Sequence, residues 1–201
     1  MAQNFIYLAS QSPRRRQLLE QLGVAHELLL PGPEEDAESI EAVLPGEAPT
    51  AYVERVTGLK LDAAVARRAT RGLPDAPILC SDTTVALGRT IYGKPGSAQD
   101  AARMLAELSG REHRVLTAVA LQAGAKRLTA LSVSRVRFAP MTAAQVGAYV
   151  ASGEPMGKAG AYGIQGPVAQ YVENLNGSYT GIMGLPLYET ARLLRAAGVL
   201  R

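Results

Sequence analysis

Tryptophan is absent from the 201 residues, phenylalanine and histidine occur twice each, and cysteine occurs once. The lone Cys80 rules out a disulfide within the chain and any cysteine-rich metal centre. Its apolar neighbours mark it as a small core residue rather than a nucleophile. His26 and His113 lie far apart, so a zinc site built on several histidines is not expected. No apolar run approaches the roughly 18 to 20 residues of a membrane-crossing helix, so no membrane partner is expected. The net charge is only +3, from 21 basic and 18 acidic residues, with no long basic tract. That balance gives no argument for nucleic acid as a partner. At the N-terminus the basic cluster follows the apolar run, the reverse of a secretory signal, so the cytoplasm is the expected compartment. No repeat or low-complexity tract is present.

Core-forming material is plentiful, since 47% of the residues are hydrophobic. This suits one domain, or two lobes sharing a cleft. The organising stretch is Ile78 to Leu87, ILCSDTTVAL, in which two apolar runs flank a polar step carrying one carboxylate. Ile78 to Cys80 reads as a short buried strand, and Val85 to Leu87 resumes it. Asp82 between core segments must find donors or face a cleft, because an unpaired buried charge is costly. Twelve residues on, Lys94 is fixed between Gly93 and Pro95.

A second feature lies near the start. Phe5 to Ala9 reads as a strand and Arg14 to Leu22 as a helix, with Ser12 as N-cap, Pro13 at the first helical position and Gly23 closing it. Three arginines, Arg14 to Arg16, crowd the first turn, where the macrodipole disfavours cations. A strand, a serine-rich turn and a helix N-terminus together form an anion cradle, and guanidinium groups suit it to polyphosphate. Residues 31 to 49 read as an irregular acidic loop. A carboxylate from it could meet a metal, and composition does not choose between Glu34, Glu35 and Asp36.

Further on, Thr50 to Thr70 reads as a long helix capped at Thr50, with Lys60 beside its apolar stripe. Ser97 and Asp100 read as a capping box for the next helix. Arg114 to Gln122 and Arg127 to Phe138 read as an antiparallel hairpin. Thr142 with Gln145 opens another helix. Four glycines in residues 157 to 166 would let backbone approach a ligand closely. Val168 to Val172 reads as a strand, Asn176-Gly177 as a turn, and a last helix follows Pro186. The expected fold is α/β, with a mixed central sheet and flanking helices, since a hairpin precludes a wholly parallel sheet.

Five blocks in order carry a resemblance: LASQSPRR at 8 to 15, SDTTVAL at 81 to 87, YGKP at 92 to 95, GKAGAYGIQG at 157 to 166 and NGSYTGIMGLP at 176 to 186. Together they resemble the Maf family of nucleoside triphosphate pyrophosphatases, as a single Maf-like domain over 1–201. The resemblance implies two lobes around a cleft, similar to inosine triphosphate pyrophosphatases. It also implies cleavage between the α and β phosphates, with magnesium or manganese as the divalent metal. Carried over, the proton acceptor falls on Asp82. The substrate-binding positions fall on Ser10, Arg14, Arg15, Lys60, Thr83, Lys94 and Gln165, and the metal ligands on Glu35 and Asp82. Leu61 stands where the family usually has a small residue. Arg14, Thr83 and Gln165 resemble the subgroup acting on dTTP and UTP. The resemblance also suggests, as an alternative, a nucleotide-binding regulator of septum formation that turns over no substrate. The partner is thus a nucleoside triphosphate, and a homodimer is left open.

Overall fold

The computed structural model describes residues 5–33, 35 and 39–200. Strand β1 (Ile6–Leu8) is buried throughout and leads through Ser10 into α1 (Pro13–Gln21). The Ser12 hydroxyl accepts the Arg15 N–H at 3.4 Å, as the sequence predicts for an N-cap. An unexpected strand follows, β2 (His26–Leu28), paired parallel to β1. It is short and largely solvent-facing, so no hydrophobic pattern announces it. Helix α2 (Pro49–Thr70) begins one residue before the expected cap. Ala48 caps it without a side-chain bond, and Pro49 starts it because its fixed φ already suits the first turn.

The central strand β3 (Ile78–Leu87) is continuous through the polar step. β4 (Thr90–Tyr92), α3 (Ala98–Leu108), β5 (Glu112–Ala123), β6 (Lys126–Phe138) and α4 (Ala143–Ala151) follow. The Ser97 hydroxyl accepts the Asp100 N–H at the start of α3, but the Asp100 carboxylate returns to the Gly96 N–H instead of closing a capping box. At α4 the box is complete. Residues Pro167–Tyr171 form a 3-10 turn where a strand is expected from Val168, and β7 (Val172–Asn176) starts only where it ends. Pro167 has no N–H to give a ladder. Two helices close the chain, α5 (Tyr179–Ile182) and α6 (Leu187–Ala196).

Among the described residues the strands form one sheet in the order β2-β1-β3-β5-β6-β7, with β4 also paired to β3. The pairs β1–β2 and β1–β3 are parallel, and the others are antiparallel. The sheet is therefore mixed, as expected from the hairpin. Alternation along β3 decides which side chains meet which layer. Ile78, Cys80 and Ala86 share one face and pack with α2 residues Val53, Val56, Leu61 and Ala64. Asp82 belongs to that same face. Leu79 and Val85 point to the other, where α1 and α6 cover the first and α3 and α4 the second. Cys80 is fully buried, and burial pushes its thiol up to about 12, so its role is packing.

Behind the glycine-rich segment sits a buried polar contact. His113 Nε2 lies 2.8 Å from the Tyr162 hydroxyl, and Phe138 stacks edge-on against both rings at 4.9 Å. Burial lowers the His113 pKa from 6.5 to about 4. In the unfolded chain this imidazole accepts a proton as the pH falls through its ordinary value, while the folded chain resists until about 4. The contribution is therefore complete above pH 6.5 and is lost as the pH falls toward 4. Urea unfolding at a series of pH values should show this acid-side loss, reduced in His113→Gln. An equal slope in both proteins would contradict the assignment.

Candidate active site

A cleft of about 970 Å³ opens over the middle of β3. It is bounded by the α1 N-terminus, the segment before α2, the Gly93-Lys94 turn and the glycine-rich segment. At its floor is Asp82, 8% exposed. Lys60 is carried to it because Val56, Lys60 and Ala64 follow one another at four-residue spacing on the stripe of α2 that covers this face. Its Nζ donates to Asp82 Oδ1 at 2.5 Å and to Glu41 Oε1 at 2.7 Å. Lys94 completes the group, reaching both Glu41 oxygens at 3.0 and 2.9 Å. Burial raises the Glu41 pKa, but the two lysines outweigh it and hold this carboxyl below its ordinary value. Glu41 was not singled out in the sequence. It is one acid among several in an irregular segment, and only the fold brings it to the lysines.

The two arginines of the SPRR motif have different surroundings. Arg15 is tied down, with Nε donating to Gly184 O at 2.8 Å, Nη1 to Ser10 Oγ at 3.2 Å and Nη2 to Thr83 Oγ1 at 3.3 Å. Thr117 donates to Gly181 O at 2.7 Å, so in the 3.0 Å contact between the hydroxyls Thr83 is the donor. Arg15, Thr83, Thr117 and Gly181 thus form a directed chain that leaves Thr83 only an acceptor lone pair to offer. Ser81 adds bonds to Ala118 O and Gly184 O, pinning the segment after β7 to the sheet. Arg14 also lines the cleft, and makes no hydrogen bond or ion pair among the described residues.

Glu35 lines the cleft too, but its carboxylate is taken by Arg67, whose Nε and Nη2 grip it at 2.8 and 2.5 Å. The Gly32 N–H adds a third bond, and the Glu35 pKa falls to about 2, mainly through the Arg67 bond. Glu34 and Asp36 lie outside the described residues. The glycine-rich segment packs against the sheet at Gly160, whose φ is +68° and whose place would put a Cβ 2.8 Å from Val85. Its N–H donates to Gly93 O at 3.0 Å, so this segment braces the turn carrying Lys94. Gln165 is exposed and is not among the cleft-lining residues. Its amide nitrogen and Lys158 Cε nonetheless approach the same point over Gly163, at 3.3 and 3.2 Å, and Lys158 does line the cleft. The structure therefore brings Ser10, Arg14, Arg15, Lys60, Asp82, Thr83, Lys94 and Glu35 to one cleft and leaves Gln165 at its rim.

The Maf-like protein family model matches residues 5–197. The chain belongs to the Maf family. Relatives agree over nearly their whole length. The dTTP/UTP pyrophosphatase of Polaromonas sp. is 68% identical over 198 residues, 98% of each chain. The dTTP/UTP pyrophosphatase of Albidiferax ferrireducens is 65% identical over 194 residues, covering 96% of this chain and 97% of its own. Among solved structures, a dITP/XTP pyrophosphatase from Mycobacterium abscessus is a distant likeness, with 16% identity and a TM-score of 0.46 over 95% of this chain and 93% of that one.

The carboxylates of the Maf cleft, Glu35, Glu41 and Asp82, offer a metal hard oxygen donors. Among the described residues no three His, Cys, Asp or Glu side chains cluster as a metal cage. Magnesium-like ions commonly keep water and take one or two carboxylates plus substrate phosphates, so this donor set fits them. Asp82 has an oxygen for the purpose, since only Oδ1 is engaged among the described residues. Glu35 would first have to leave Arg67.

The contrast between the arginines of this Maf chain is testable. Arg14→Ala should reduce nucleotide hydrolysis by roughly 100-fold, the scale of losing one charge-stabilising donor, with the melting temperature unchanged. Arg15→Ala should lower the melting temperature by about 5–10 °C through lost hydrogen bonds. Equal melting temperatures for the two variants would contradict the clamp.

Proposed function

We propose that this chain hydrolyses nucleoside triphosphates, dTTP and UTP foremost, to a monophosphate and pyrophosphate in the cytoplasm. The observation that carries the reading is the Asp82–Lys60 ion pair at the floor of a cleft whose other cations are Arg14 and Lys94. The near-full-length relatives bearing the name dTTP/UTP pyrophosphatase support the same reaction and substrates. Asp82 takes the proton of the attacking water as oxygen bonds to the α phosphorus. The bond to the β-phosphate oxygen breaks, and negative charge collects on the departing pyrophosphate. Lys60, Lys94 and Arg14, which line the cleft, stabilise that charge. Magnesium or manganese would be held by Asp82 and would supply further charge neutralisation and orientation when bound.

Selectivity follows from hydrogen-bond direction. Uracil and thymine present an N–H between two carbonyls, where cytosine has an acceptor. Thr83 can only accept, and Gln165, at the rim, carries both an acceptor and donors. A site built for that pattern rejects the reversed one strongly.

Asp82→Asn should fold normally and lose at least the roughly 100-fold of a general base. Near-native turnover in that variant would remove Asp82 from the mechanism. Product analysis across UTP, dTTP, CTP, GTP and 7-methyl-GTP, in the wild type and in Gln165→Glu, tests selectivity. The wild type should favour UTP and dTTP, and the variant should lose that preference. Equal use of purines would refute the substrate assignment. Binding without any product would favour the regulator instead.

A further inference from the structure

We propose that Glu41 is an internal competitor for the pyrophosphate end of the substrate, guarding Lys60 and Lys94 until a triphosphate displaces it. The inference rests on the proposed hydrolysis for its biological setting, but its physical basis is independent. The contacts come from three separate parts of the chain: a 3-10 turn at Ser39–Glu41, helix α2, and the turn after β4. Glu41 is the sole ion-pair partner of Lys94 among the described residues, and the only one besides Asp82 for Lys60.

The backbone at Glu41 is held independently of its side chain. The Tyr52 hydroxyl donates to Glu41 O at 3.0 Å. Arg55 donates to Ala42 O at 2.8 Å and pairs with Glu47 at 2.6 Å. The carboxylate can therefore swing off the lysines by side-chain rotation, with the turn still docked on α2. Its side chain is 27% exposed and that of Lys94 is 57% exposed, so the contact lies where a ligand can reach it.

Charge decides the exchange. A carboxylate carries one negative charge, and a pyrophosphate group carries several and offers more acceptor oxygens to two ammonium groups. The two anions cannot share the lysines, because like charges at such range repel. An arriving triphosphate therefore expels Glu41. After cleavage the returning carboxylate competes with the pyrophosphate and speeds its release. Lys60 keeps its bond to Asp82 throughout, so the exchange leaves the base in place.

If the guarded state is populated about nine-tenths of the time, removing it raises apparent affinity roughly tenfold. Titration calorimetry with inorganic pyrophosphate, in the presence of a chelator, reads this without catalysis. Glu41→Gln, which keeps the size and removes the charge, should bind pyrophosphate roughly tenfold more tightly than the wild type. Glu41→Asp, charged but shorter in reach, should fall between. In steady state, pyrophosphate should become a correspondingly stronger competitive inhibitor of Glu41→Gln. Unchanged or weaker pyrophosphate binding in both variants would overturn the proposal and make Glu41 part of the binding surface. A wild type that hydrolyses no triphosphate, yet gains pyrophosphate affinity in Glu41→Gln, would refute the proposed function and leave the competitor role standing.

Discussion

The contact between Lys60 and Asp82 governs the rest of the molecule. An acid in the central strand, on the face that a long helix covers, would leave an uncompensated buried charge if that helix slid or turned. Lys60 keeps Glu41 at 2.7 Å as a second partner, so neutralising Asp82 alone does not strand the ammonium group. The side chains around it, Val56 and Ala64 on α2 with Cys80 and Ala86 on β3, pack together in the register that delivers the ammonium group to the carboxylate. One interaction thereby ties α2 to the central strand and sets a carboxylate beside a cation.

The second organising device is the use of neighbouring arginines for opposite purposes. Successive helical residues point about 100° apart, so one guanidinium can turn inward while the next faces open space. Arg15 turns toward oxygen acceptors on β3 and on the segment after β7, closing the sheet's other face around the α1 N-terminus. Those acceptors answer the conflict between a cationic first turn and the helix dipole. Arg14 has no such acceptor among the described residues and lines the cleft.

Much of this was legible in the sequence. Ser12, Pro13 and the Thr142–Gln145 box marked helix starts through local hydrogen bonding, which depends on a few adjacent residues. The hairpin was visible because β5 and β6 are long and rich in strand formers. Strand β2 was hidden because three half-exposed residues carry no usable period. The 3-10 turn at Pro167 is hidden because Val168 to Val172 has the apolar content of a short strand. In the site, the blocks around Ser10, Asp82 and Lys94 were found as contiguous motifs, and the fold gathers them. Glu41 and Arg67 were not found, since their partners lie 19 or more residues away and nothing local marks them. Gln165 shows the converse case: a motif position can be recognised while its side chain stands at the margin of the cavity.

Burial of the only thiol has a practical side. With Cys80 fully enclosed between β1, β5 and α2 and its thiol held in the protonated form, thiol-directed reagents find no accessible thiolate on the native protein. A cysteine introduced at an exposed position would be the sole reactive thiol. The chain is thus already suited to single-site attachment of fluorophores or spin labels, with no background substitution to remove and no core residue to sacrifice.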